Sequence, residues 1–594
     1  MSTAQAISWD DHKGRTISRS ITWNDRKSRR AGAAMIVTLG VVMWAGALTS
    51  ALHHSQNVSV IVRAHAGEQG AAAQAVGDLG GTVVNRIALI NGLVASVPAD
   101  SVASLAAASS VAELTVDRHL HLLSTSYDPT TDVGSLYNTA GMDGAHAYWN
   151  AGYTGQGVDV ALIDSGVAQV DGLTAPGKVL NGPDLSFESQ NSSLRYLDTF
   201  GHGTHMAGII AGRDNAVSAV DAGDTSHFLG IAPDARIVSL KVADAHGQTD
   251  VSQMLAAIDW VVQHKSDNGL NIRVLNLSFG TDSGQSYQLD PLAYAAEQAW
   301  KHGIVVVVSA GNQGNSANGL DDPAIDPYVI AVAAADTNNT TNVSQHTPAT
   351  FTSQGDGTRN PDLSAPGVHL ASLRVPGSYI DTQYGSTATV ATRFFRGSGT
   401  SQAAAVVSGA AALVISQRPS ITPDQLKSLL ARNSKTMKGS TSLKGSGELS
   451  LASVLNTTTP NVTQSFAAAA GTGSLEQARG SYHVVDANGN QLSGERDIFG
   501  TVLDTGALAA AEQSATAWNG GVFNHVTWTG SSWSGSSWSA ASWSSGSWSG
   551  ASWSGSSWSS GTWSSGSWSG ASWSSGSWSC GSWSSGTWSD STWG

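Results

Sequence analysis

The sequence predicts an α/β fold: a parallel sheet with helices on both faces, preceded by a small α+β unit and followed by a low-complexity repeat. Three observations carry this expectation. Nearly continuous apolar runs at Val158–Ile163 and Ile304–Val308 read as strands covered on both faces, the pattern of parallel sheets. Residues 56–123 hold short elements in the order β-α-β-β-α-β, a split arrangement in which two helices back one antiparallel sheet. From Trp528 to Trp593 a Trp recurs every five residues, fourteen times, among Ser, Gly, Ala and Thr.

Composition narrows the function classes. The 594 residues hold 30 Lys plus Arg against 44 Asp plus Glu, a net charge of −14, with only 12% charged; ordinary soluble domains carry about 25%. The single cysteine, Cys580, excludes an intrachain disulfide framework and any Cys-rich zinc or iron–sulfur site. An acidic balance without a Lys/Arg block excludes the basic footprint of a nucleic-acid partner. The length implies more than one domain, and 41% apolar residues suffice for a large core.

Residues 1–30 are net basic, with Lys13, Arg15, Arg19, Arg26, Lys27, Arg29 and Arg30 against Asp10, Asp11 and Asp25, and the 22 residues Ala31–Leu52 carry no charge. A basic segment followed by an apolar one marks a membrane-targeting leader, so residues 1–55 read as a signal peptide or signal anchor and the protein as exported, secreted or held at the cell surface. Thr49 and Ala51 supply small residues for a cut after Ala51, while the apolar run is long enough to span a bilayer as an anchor. Both fates stay open.

In the small unit, Val58–Val62 reads as a strand, Glu68–Leu79 as a helix stopped by Gly80-Gly81, and Val83–Val97 as two strands turning at Asn91-Gly92. Ser101–Ala108 is a second helix and Val111–Val116 a last strand. This is the ferredoxin-like order, which by itself implies no chemistry.

Three motifs in the larger unit carry chemistry together. The strand Val158–Ile163 runs into Asp164-Ser165-Gly166, placing a carboxylate at the end of a sheet strand, where α/β folds build sites. Gly201-His202-Gly203-Thr204-His205 follows, with a helix expected from Met206. His202 reads as a general base, or as a metal ligand with His205 at i and i+3, although no Glu lies in this segment to complete a metal set. Gly397-Ser398-Gly399-Thr400-Ser401 opens an apolar small-residue helix reaching about Ile415. Its N-terminus favours developing negative charge beside the Ser401 hydroxyl. Taken singly, these strings also fit a turn and a helix cap. In this order and context they are the parts of a nucleophilic hydrolase.

Asp, His and Ser in that chain order resemble the subtilisin family of serine proteases, and the resemblance covers Val158 to about Leu455. It implies a subtilisin-like sheet over residues 124–455 and a serine endopeptidase acting on protein or peptide substrates. Ser401 would be the nucleophile, His202 its base and Asp164 the group that orients and stabilises the imidazolium. Asn312, in Ser309-Ala310-Gly311-Asn312, matches the family's oxyanion donor, with the Ser401 N–H as the second donor. Ser278-Phe279-Gly280 matches the edge that pairs with an extended substrate, and Ser309, Ala310 and Gly311 join it as substrate-binding candidates. Two positions depart from the family: Gln402 stands where Met is usual and Ala405 where Pro is usual. No metal ligand and no cofactor is assigned; structural calcium is implied only by the habits of relatives. The resemblance also gives residues 56–123 a role as a propeptide that assists folding and then inhibits the active site, with self-cleavage between His121 and Asp132.

Residues 456–527 read as a linker or small adaptor. The repeats at 528–594 have a period that fits neither strand nor helix. They fit one side of a four-sided β-solenoid of about three and a half coils, or a flexible chain whose aromatics stack on a cell-wall or surface polymer. The competing function is a non-catalytic surface adhesin on a protease-like scaffold. The joint presence of Asp164, His202, Ser401 and Asn312 weighs against it, because a scaffold has no physical need for all four.

Overall fold

The computed structural model describes residues 57–116, 127–316, 319–485 and 490–528. The leader, residues 117–126 with part of the stretch expected to hold the self-cleavage site, and the repeats from residue 529 lie outside the described residues. The chain divides into two compact units, 1–124 and 125–594.

In the first unit, β1 (Asn57–Ala64), α1 (Gln69–Asp78), β2 (Thr82–Ile87), β3 (Gly92–Pro98), α2 (Val102–Ala106) and β4 (Val111–Val116) follow in order. The sheet order β2-β3-β1-β4 is antiparallel throughout. Val60, Val62, Leu93, Ala95 and Val97 alternate toward one face and bury against Ala72, Val76, Val102 and Leu105 of the helices. The β2–β3 connection is longer than the two-residue turn expected at Asn91-Gly92. β2 stops at Ile87 and a single 3-10 turn, Ala88–Ile90, intervenes. Asn91 then takes a left-handed conformation (φ 51°), held by its side-chain amide donating to the Ala64 and His65 carbonyls at 3.2 and 2.8 Å.

The second unit is built on a sheet of β5 (Asp159–Asp164), β6 (Val179–Asp184), β7 (Arg236–Lys241), β8 (Ile272–Leu277), β9 (Val305–Ser309), β10 (Ile330–Asp336), β11 (Thr347–Pro348) and β12 (Leu363–Pro366). The order is β11-β10-β9-β8-β5-β7-β6, with β12 also on β10, and every pair but β10–β11 is parallel. Every residue of β5 and β9 is buried, so the apolar runs reflect cover on both faces. After β7 the chain crosses β5 to reach β8, so winding changes direction at β5. The carboxyl ends of strands at such a point are where open α/β sheets place their sites.

Helices α3 (His202–Ala211) and α6 (Thr400–Gln417) pack on one another and on the sheet, and α4 (Val251–His264) packs on α5 (Pro291–Lys301). Small residues make the α6 contacts close: a methyl group on Gly409 would lie 2.7 Å from Ile231 Cβ. α4 is capped reciprocally by Asp250 and Gln253, and α5 by Asp290 ahead of Pro291.

The described part of residues 456–527, expected as a linker or small adaptor, and Trp528, expected as the first of the repeats, continue this body. Leu475, Leu492, Ile498, Phe499, Leu503, Trp518, Phe523 and Trp528 join its core. Arg479, fully buried, pairs with the equally buried Asp250 at 2.7 Å. Trp518 donates its indole N–H to the Ala256 carbonyl at 2.8 Å and exchanges two bonds with Gln263. α7 (Thr505–Gln513) lies on α5, where the Tyr294 hydroxyl donates to the Ala509 carbonyl at 3.1 Å. Among the described residues no helix is long and apolar enough to cross a membrane.

Candidate active site

β5 delivers Asp164 to the carboxyl edge of the sheet, 1% exposed. α3 begins at His202 itself, one turn earlier than the expected start at Met206. The reason is Asp198, a buried carboxylate without a sequence motif. It accepts from the Gly201 and Thr204 N–H groups at 2.7 and 2.8 Å, and from the Thr204 and Ser165 hydroxyls at 2.6 and 2.8 Å, which satisfies the helix's first donors. Ser165 Oγ in turn accepts from the Gly203 N–H at 2.9 Å. Glycine is required at 203, because a methyl group there would lie 2.1 Å from the Gly166 carbonyl oxygen.

With the helix start fixed, His202 Nδ1 meets both Asp164 carboxylate oxygens, at 2.8 and 3.0 Å. This leaves Nε2 as the ring nitrogen not held by Asp164, on a side chain 22% exposed. Burial pushes the imidazole's pKa down, but the charge and hydrogen bond of Asp164, helped by Asp198, outweigh it and the net shift is upward. His205 is different. Its Nε2 lies 3.0 Å from the Phe395 carbonyl, and burial pushes it down to about 4. It is a neutral core histidine whose ring is committed to the backbone, which answers the alternative of a His202–His205 metal pair. Among the described residues no group of three or more His, Cys, Asp or Glu is arranged to hold a metal ion.

The second cluster lies at the N-terminus of α6. Ser401 is 7% exposed, and its hydroxyl donates to the Ser278 carbonyl at 3.3 Å; among the described residues it makes no hydrogen bond to His202. Asn312 is exposed and its Oδ1 accepts from the Thr400 N–H and hydroxyl at 3.0 and 3.1 Å. Holding the oxygen on the helix leaves the amide N–H₂ as a free donor beside Ser401. Ser278 is fixed by Asn276, which donates to its Oγ at 2.9 Å and accepts from Ser408 of α6 at 2.8 Å. Ser309 ends β9, Ala310 is buried, and Gly311 (φ 110°) donates to Thr400 Oγ1 at 3.3 Å. The two clusters adjoin at Gly397, where an added methyl would lie 2.5 Å from Gln402 Nε2 and 2.9 Å from His205 Cε1.

Comparison with known proteins gives the family. The model of the subtilase family (Peptidase_S8) matches residues 155–448. Subtilisin Savinase of Lederbergia lenta is 35% identical over 303 residues, which cover 92% of that protein and 51% of this chain. The chain belongs to the subtilase family. Serine protease AprX of Bacillus subtilis (strain 168) is 36% identical over 291 residues, 48% of this chain and 63% of AprX. For the minor extracellular protease Epr of the same organism the match is 30% and spans 36% of that protein. The subtilase match ends at 448, yet a cavity beside the Ser278–Gly280 segment draws on residues beyond it. Phe279 and Gly280 wall a cavity of about 260 Å³ together with Met254, Leu292, Tyr482 and Val484. Tyr482 also takes a hydrogen bond from Gln313 Nε2 at 3.4 Å. Asp198 and Tyr482 escaped the sequence reading; the signal for the first was a lone Asp three residues before the Gly-His-Gly string.

Proposed function

We propose that this subtilase is an exported serine endopeptidase in which His202 takes the Ser401 proton, Asp164 stabilises the resulting imidazolium, and Ser401 attacks the scissile carbonyl. The observation that carries the reading is the His202 Nδ1–Asp164 contact at 2.8 Å, which favours the tautomer that keeps the proton on Nδ1 and leaves Nε2 as the basic nitrogen. The Asn312 amide and the Ser401 N–H at the start of α6 supply donors for the tetrahedral oxyanion, and the acyl-enzyme is then hydrolysed by water through the same base. Ser278–Gly280 pairs with the substrate backbone as an added strand. The Ser401 hydroxyl leaves the Ser278 carbonyl for His202 as substrate arrives, in line with the looser geometry of unliganded sites.

Residues 56–123 act as a propeptide, as chaperone and then as intramolecular inhibitor, removed by self-cleavage between His121 and Asp132. The repeats attach or display the enzyme at the cell surface. The test is purified full-length precursor carrying Ser401→Ala. It is expected to stay unprocessed, to escape fluorophosphonate labelling and to lose about 10⁶ in kcat. A mutant precursor that still matures by itself would refute the reading.

A further inference from the structure

The space between the two strand ends that flank the substrate path holds a carboxylate. Gly280 closes the segment after β8 and Gly311 the segment after β9, and Asp321 lies against both. A methyl group placed on Gly311 would sit 2.4 Å from the Asp321 carboxyl carbon and 2.5 and 2.6 Å from its oxygens. One placed on Gly280 would sit 2.8 Å from Asp321 Cβ. The backbone fastens this residue to both walls. The Asp321 N–H donates to the Ala310 carbonyl at 3.1 Å, and Thr281 and Asp322 exchange two bonds at 3.0 and 2.9 Å. Among the described residues no Lys, Arg or His pairs with Asp321. Burial and then Asp282 push its carboxyl up to about 6, with Gln313 the polar group that offsets them; a carboxylate beside a second acid and without a cation behaves this way.

With 278–280 paired to an extended substrate and Asn312 at the attacked carbonyl, the side chain of the residue bearing that carbonyl enters between Gly280 and Gly311. We propose that Asp321 makes this subtilase selective for Lys or Arg at that position, the cation pairing with the Asp321 carboxylate between the Gly280 and Gly311 backbones. An acidic side chain meets Asp321 and Asp282 and is rejected. The inference rests on the proteolytic reading above and names its substrate class. The stretch His121–Asp132 contains no Lys or Arg; an intramolecular cut, made at high effective concentration, proceeds without side-chain preference.

The test uses the mature enzyme from full-length chain and a peptide series differing only in Arg, Lys, Phe, Leu or Glu before the scissile bond. Wild type is expected to cleave the Arg and Lys peptides with kcat/KM at least about 10-fold above Phe, and Asp321→Asn to lose about 10- to 100-fold on Arg and Lys while Phe changes less than about threefold. Asp321→Ser serves as a second variant, and fluorophosphonate labelling of Ser401 verifies that each protein has an assembled site. Wild type preferring Phe or Leu, or an equal loss on every peptide, would overturn the inference. Labelling with the wrong preference defeats this inference alone. Absence of both labelling and cleavage of any peptide in wild type defeats the proteolytic reading and the inference with it.

Discussion

The N-termini of α3 and α6 carry the residues proposed as base and nucleophile, and they are built in opposite ways. At α3 the groups that set the helix start and hold the imidazole are paired: Asp198 serves four donors, Ser165 links it to Gly203, and Asp164 holds His202 with both oxygens. At α6 the Ser401 hydroxyl is parked on a carbonyl at 3.3 Å, the Asn312 amide nitrogen is open, and the buried Gln402 Oε1 has no partner. On the proposed reading the base is preorganised before substrate binds, whereas the nucleophile and its oxyanion donors are completed by the substrate. Preorganised dipoles cost no rearrangement at the moment of reaction, so the saturated side is where rigidity matters most.

The sharpest way to break this contrast is Asp164→Asn, which keeps shape but favours the wrong His202 tautomer. We expect kcat to fall about 10⁴-fold near neutral pH, read from amide-hydrolysis kinetics. The same variant tests the pH profile. His202 must be neutral to act as base, and its pKa is raised, so the acid limb of wild-type kcat/KM lies above about pH 6.5. Removing the Asp164 charge moves that limb to lower pH. In stability the sign is reversed: the His202–Asp164 pairing contributes fully below about pH 6.5 and fades as pH rises through the raised value.

On the open side, Asn312→Ala removes one oxyanion donor and is expected to cost about 10²–10³ in kcat with little change in KM. A KM effect as large as the kcat effect would make Asn312 a substrate-binding group instead. Asp198→Ala strips the cap from α3, and we expect a loss of about 2 kcal/mol in denaturant unfolding, with activity falling through a displaced His202. Gln402→Met should have the smallest effect. It replaces the unpartnered buried carbonyl by a thioether and is expected to raise stability by about 1 kcal/mol while kcat/KM stays within about threefold. A large loss of activity there would show that Gln402 positions Ser401.

The contrast also explains what the sequence disclosed. Asp164, His202, Ser401 and Asn312 could be proposed from sequence because each stands in a short string of glycines and small residues that, taken together, has few other physical uses. Asp198 was not, since its role exists only once Ser165, Gly201 and Thr204 converge on it. Asp321 was hidden in Gly319-Leu320-Asp321-Asp322-Pro323, which reads as an ordinary turn. Residues 456–528 misled for another reason. Their buried positions, Leu475, Leu492, Ile498, Phe499 and Leu503, recur at neither strand nor helix period. They follow irregular backbone laid on α4 and α5, so only the surface they cover shows their purpose.

That covering segment has a mechanical consequence. Trp528, the first of the pentad tryptophans, is 0% exposed and stands edge-on to Phe499 and Phe523 at 4.9 and 5.6 Å. A load applied through the residues that follow therefore arrives first at this aromatic peg, and next at the Trp518–Gln263 clasp on α4. The peg and clasp would have to fail before tension reached Arg479 and the cleft wall at Tyr482. Were the repeats to moor the enzyme as proposed, it could thus be pulled by flow or by a growing surface while the groove at Ser401 stays unloaded.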